Sequence, residues 1–196
     1  MSADNWNKRY TCTDYVFGTR PSPFLEACRP HLSAGMHGLA LADGEGRNGV
    51  WLAKQGIDVL ALDWSREGLE KARRLAAQRN VRIRTECTDM LTWHYPDGAY
   101  DVVCAMNFHF PAREREWVFQ SITKTLKPAG LLIFEGIHKD TRDNHDPENL
   151  YDEDLLQRLC RGLDIKTMTT YQKEALGGSG KAGKKKICML ATKPDL

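Results

Sequence analysis

The chain has 196 residues, 41% of them hydrophobic and 28% charged, which suits one folded domain with a sizeable core or a domain with a short extension. A net charge of +2 supplies no global field for nucleic acid, no apolar run approaches the ~20 residues of a membrane span, and residues 1–10 carry no secretory apolar region. Six scattered cysteines without a Cys-x-x-Cys pair, several inside apolar runs, point to buried free thiols and a reducing cytoplasm.

Residues 1–33 differ from the rest. They are rich in aromatics (Trp6, Tyr10, Tyr15, Phe17, Phe24), which either pack an extension onto a core or line a site. Pro23 suits the first turn of a helix capped by Ser22. From 34 onward, strand-like and helix-like runs alternate. Gly38–Ala42 reads as a short buried strand. After a glycine loop, Val50–Ala53 suit a helix that stops near Gln55-Gly56. Ile57–Leu62 is a second strand. Ser65 can cap the next helix, with Leu69, Ala72, Leu75 and Ala76 on its core face. On its wet side Glu67–Lys71 and Glu70–Arg74 read as i,i+4 pairs. Val81–Thr85 is a third strand and Tyr100–Ala105 a fourth. A helix spans about 112–126, Lys127–Gly130 is a turn, and Leu131–Glu135 is a fifth strand. Apolar strands alternating with helices predict a parallel sheet covered on both faces. A helix near 151–160 then precedes two strand-like runs, 164–171 and 185–192. The glycine-rich stretch 177–183 between them reads as a flexible hairpin connection, so an antiparallel pair finishes the sheet. The whole is read as one domain.

Gly44-Glu45-Gly46-Arg47-Asn48-Gly49 matches GxGxxG between a strand and a helix, and Asp63 ends the next strand. Glycines let a backbone approach a ligand, a helix N-terminus offers N–H groups, and an acid at that strand end accepts from a ribose. NAD and S-adenosylmethionine both fit this much. NAD enzymes usually need a second region for substrate, and little chain remains for one. Asp89, following the third strand, can accept from an adenine amino group while the Met90 N–H serves a ring nitrogen. Asn107-Phe108-His109 follows the fourth strand.

Residues 36–135 resemble the class I S-adenosylmethionine-dependent methyltransferases in motif order. Gly44-Glu45-Gly46-Arg47-Asn48, then Leu52-Ala53, Gly56, Val59 and Asp63-Trp64-Ser65, resemble the branch containing tellurite-resistance and thiopurine methyltransferases. Residues 15–25 are similar to the N-terminal cover segment of small members of that branch. The resemblance implies a Rossmann-like, mostly parallel seven-stranded sheet, with residues 1–33 as cover and 34–196 as core. It implies S-adenosylmethionine as cofactor. The loop Asp43–Asn48 would hold its methionine part, Asp63 with Trp64 and Ser65 its ribose side, and Asp89-Met90 its adenine, with Trp64 and Leu91 packing the adenine faces. Asn107 and His109 are the candidates for catalysis at the strand-four rim, Asn107 being a candidate for cofactor binding as well. Trp6, Tyr15, Phe17 and Arg20 are candidates for a lid against the substrate, Arg20 suiting an anion. The chain departs from the class at Ala40, where an acid is common, and at Ala42 and Ala129, where glycines are usual; Asp43 is a candidate for the missing carboxylate.

Methyl transfer from a sulfonium needs alignment and exclusion of water more than acid–base power. A small molecule is the expected substrate, a soft sulfur, selenium or tellurium acceptor being one option. Methylation of protein or RNA, and a non-catalytic binding module, are the alternatives. His138–Asp146 has no metal spacing and reads as a solvated loop. The cluster Lys181, Lys184, Lys185 and Lys186 reads as a solvated hairpin, so nucleic acid is not an expected partner and no metal is expected.

Overall fold

A computed structural model describes residues 3–141, 146–172 and 183–195. Five strands run parallel: β1 (His37–Leu41), β2 (Asp58–Asp63), β3 (Arg84–Cys87), β4 (Tyr100–Met106) and β5 (Leu126–His138). A two-residue β6 (Leu150–Tyr151) pairs with the end of β5. The pair β7 (Asp164–Gln172) and β8 (Lys185–Thr192) is antiparallel, with β8 lying against β5. The sheet order is β3-β2-β1-β4-β5-β8-β7, so seven strands form the main path, as expected. The strand order reverses beside β1, which opens a crevice at the carboxyl ends of β1 and β4.

Period-two alternation divides the strands between two cores. Leu39, Leu41, Val103, Ala105, Leu132 and Phe134 face one layer, under α5 (Ala112–Thr125) and α6 (Glu153–Leu159). Ala40, Val102, Cys104, Met106, Leu131 and Ile133 face the other, under α2 (Pro23–Ala27) and α3 (Gly49–Lys54). Two further helices, α1 (Ala3–Tyr10) and α4 (Arg66–Gln78), pack on each other beside β2.

Several expectations need correction. β3 is displaced to 84–87 and is largely exposed, because it is the edge strand and meets a neighbour on one side only. Lys71 does not pair with Glu67 on a wet face. It is buried with Glu45, 2.7 Å away, while Glu70 pairs with Arg73. Ser22 occupies the N-cap position of α2 but makes no capping bond. Residues 127–130 are not a separate turn: the backbone kinks there within β5, with Ala129 at φ 58. His138 ends β5 and is buried instead of lying in a solvated loop. Of the stretch read as that loop, 142–145 lie outside the described residues; so does most of the hairpin connection, 173–182, including Lys181.

Candidate cofactor site

The end of β1 carries the glycine loop. Ala42 turns the chain at φ 50 and Gly44 and Gly46 continue it at φ 55 and 84, after which α3 begins at Gly49. Ala42 therefore adopts a left-handed conformation at the position where the class usually has glycine, at a cost of roughly 1 kcal/mol. The glycines also serve packing. A Cβ on Gly46 would lie 2.6 Å from that of Ala72 on α4, and one on Gly44 would lie 2.7 Å from the Tyr10 hydroxyl.

Asp63 ends β2 beside this loop and is 5% exposed. Its Oδ2 accepts from the Gly44 N–H at 2.9 Å and its Oδ1 from the Ser65 N–H at 2.8 Å. Burial nevertheless outweighs these bonds and pushes its pKa up to about 6. Asp43 folds back to accept from the Gly49 N–H at 3.0 Å. A Cβ on Gly49 would touch both the Asp43 carboxylate and, at 3.4 Å, Ala40, so this carboxylate lies close to the strand-one position that lacks an acid. Burial, aided by the charge of Asp63, pushes Asp43 up to about 6 as well.

The remaining expected residues divide. The Glu45 side chain is buried. Its carboxylate binds Lys71 and accepts from the backbone N–H groups of Val16 and Phe17 at 3.2 and 3.4 Å, tying the N-terminal segment to the loop. Arg47 is half-buried, and no carboxylate among the described residues stands in ion-pair range of it. The Asn48 side chain accepts from the Ser22 N–H at 3.0 Å. Ser65 caps α4 through Gly68 and donates to Asn7 of α1 at 2.8 Å. Trp64 is half-buried and Met90 is buried. Asp89 is exposed and closes a local turn onto the Leu91 N–H at 2.9 Å. Asn107 follows β4 at φ 54 and accepts from Lys186; His109 lies half-buried two residues on.

Of the lid candidates, the fold brings Trp6 and Phe17 together around Tyr10, with centroids 5.4 to 6.5 Å apart and the Arg9 guanidinium over two of the rings. Tyr15 instead turns to α4, donating to the Lys71 carbonyl at 3.2 Å, and Arg20 is exposed. Tyr10, named in the sequence among the aromatics of this segment, was not one of the lid candidates. Helical spacing placed it four residues from Trp6, which is the signal that could have found it.

Residues 39–130 match the model of a methyltransferase domain family. Over these residues, just under half of its length, the chain is similar to the methyltransferase domain. The ubiquinone biosynthesis O-methyltransferase of Pectobacterium carotovorum is 30% identical over 93 residues, 46% of this chain and 38% of that protein. The chain spans between 28% and 38% of the length of the curated relatives it matches. Among solved structures, TehB from Haemophilus influenzae superposes with a TM-score of 0.72 at 16% identity, over 97% of this chain and 66% of TehB. The N-methyltransferase NodS from Bradyrhizobium japonicum, in complex with S-adenosyl-L-homocysteine, superposes at 0.73 and 14% identity over 98% of both chains.

S-adenosylmethionine is the cofactor of this family, and the donor set here fits it. A buried carboxylate at the end of β2 suits a ribose diol, and a half-buried guanidinium with no carboxylate of the described residues in ion-pair range suits the amino-acid end. Among the described residues no group of histidine, cysteine and acids is arranged to hold a metal, and no helix is long and apolar enough to cross a membrane.

Proposed function

We propose that this methyltransferase domain transfers the methyl group of S-adenosylmethionine to a small-molecule acceptor in the crevice beside β1 and β4. The observation that carries the reading is Asp63: a buried carboxylate, fixed by the Gly44 and Ser65 N–H groups, at the strand end where a ribose is bound in this fold. The bound cofactor supplies a methyl group already activated on a sulfonium. The chain's own residues then hold and align. Asp63 accepts from the ribose hydroxyls, Arg47 faces the carboxylate, and Asp43 stands in for the strand-one acid toward the ammonium. Asp89 and Met90 take the adenine, with Trp64 and Leu91 on its faces. Trp6, Tyr10 and Phe17 form the cover that excludes water, while Asn107 and His109 border the acceptor.

The acceptor proposed is a soft one, a thiol, selenol or reduced metalloid, for which no strong base is needed. Its support is the Glu45-Gly46-Arg47-Asn48 resemblance; an acceptor hydroxyl would instead call on His109. All six cysteines are free and four are buried, which suits a reducing compartment such as the cytoplasm. Calorimetry with S-adenosylmethionine, S-adenosylhomocysteine and NAD tests the cofactor reading, and methyl release over a panel of thiols, selenols and metalloids tests the acceptor. Absence of binding by either adenosyl ligand would end the reading.

A further inference from the structure

Glu135 ends the apolar run Leu131–Phe134 of β5, opposite Met106 of β4 and Cys188 of β8, on the face covered by α2. It is 1% exposed and holds four partners. Its Oε2 accepts from the Ser22 hydroxyl and, at 2.9 Å, from the Tyr171 hydroxyl. Its Oε1 faces the Lys186 ammonium at 3.6 Å. Its main-chain carbonyl accepts from the Phe108 N–H at 3.1 Å. Lys186, read from sequence as part of a solvated hairpin, is 2% exposed and also donates to the Asn107 side chain. A buried ion pair is a poor source of stability beside apolar residues of the same volume, so its value lies in what it orients.

Two functional edges meet at this carboxylate. On one side Ser22 gives its hydroxyl to Glu135, forgoing the cap of α2, and its N–H to Asn48 of the glycine loop. On the other, Lys186 and the Glu135 carbonyl fix Asn107-Phe108, where Asn107 is held in a left-handed conformation that a non-glycine residue adopts at a cost. We infer that Glu135 is a positioning residue. Through Ser22 it sets the N-terminal cover against the cofactor loop, and through Lys186 it sets Asn107 at the acceptor rim. This inference rests on the methyltransferase reading above.

Ser22→Ala and Glu135→Gln separate this role from general support. Ser22→Ala removes one hydroxyl and is expected to weaken S-adenosylhomocysteine binding about fivefold, the worth of one hydrogen bond. Hydrogen exchange of the Ser22 and Glu26 amides should quicken while β1 and β4 keep their protection. Glu135→Gln, whose amide oxygen can still accept from Ser22, should keep the affinity within about twofold of wild type, whereas Glu135→Leu should not. Unchanged affinity and exchange in Ser22→Ala would overturn the inference, as would faster exchange spread evenly over β1 and β4. Failure of the wild-type chain to bind S-adenosylhomocysteine would strike the cofactor reading instead; the exchange comparison still decides whether Glu135 holds the cover.

Discussion

Protonation of Asp63 should gate ligand affinity. Its carboxyl has a pKa of about 6 in the folded chain, raised chiefly by burial. Ribose hydroxyls donate to the ionised form, so binding favours loss of the proton and draws the pKa down. From pH 7.5 to pH 5 the ionised fraction falls from nearly all to about one tenth, and S-adenosylhomocysteine affinity should fall about tenfold, or about 1.4 kcal/mol. The amino and carboxyl groups of the ligand keep their charges across this window. Isothermal calorimetry at half-unit steps measures the slope. Asp63→Asn should bind more weakly at pH 7.5 and show a shallower pH dependence, the remainder coming from Asp43, whose carboxyl also lies at about 6. An affinity that stays within about twofold for wild type across this range, or a slope in Asp63→Asn as steep as that of wild type, would refute the role given to this carboxylate.

Stability should respond to Asp43 in a related way. Its folded pKa of about 6 lies above the ordinary value of 3.8, so its contribution is greatest below that value and is lost as pH rises through 6. The melting temperature of Asp43→Asn relative to wild type should therefore climb between pH 5 and 7.5, by an amount equivalent to about 1.4 kcal/mol. Taking the difference is necessary because Asp101, Asp140 and Asp152 have lowered values and weaken the fold in the opposite direction, toward acid. Lys71→Met leaves Glu45 buried without its counter-charge and should cost about 3–5 kcal/mol by denaturant titration, with much of the loss recovered in Lys71→Met/Glu45→Leu. Ala129→Gly relieves an exposed left-handed alanine and should raise the melting temperature by roughly 2 °C in scanning calorimetry; a decrease would show that the kink in β5 is not strained.

The parallel core was legible because its strands are short continuous apolar runs set off by glycine and helix-capping residues, as at Val102-Val103-Cys104 and Leu131–Phe134. Asp63 was legible because a motif fixes its place relative to the glycine loop. What stayed hidden depends on tertiary neighbours. Nothing in Glu67-Gly68-Leu69-Glu70-Lys71 says that Lys71 turns inward to a loop residue 26 positions earlier. Lys186 was concealed by the lysines around it, although its period-two relation places it on the face of β8 that carries Cys188 and Leu190, one of two buried faces. Glu135 sat in plain view as a lone acid closing an apolar run. Its significance depends on Ser22, a residue 113 positions away.

The close contact between Gly46 and Ala72 has a consequence for how such loops are interpreted. Helix α4 can lie against the loop only if position 46 carries no side chain, whether or not a nucleoside ever enters the crevice. A descendant that lost its ligand would still be constrained to keep that glycine, because the alternative is a displaced helix. The acids are under no such constraint. Buried carboxylates near pH 6 weigh against folding at neutral pH, so drift would readily replace Asp43 and Asp63 by neutral residues once binding ceased to matter. In comparing chains of this architecture, retention of the aspartates, more than of the glycines, is the mark of a working pocket.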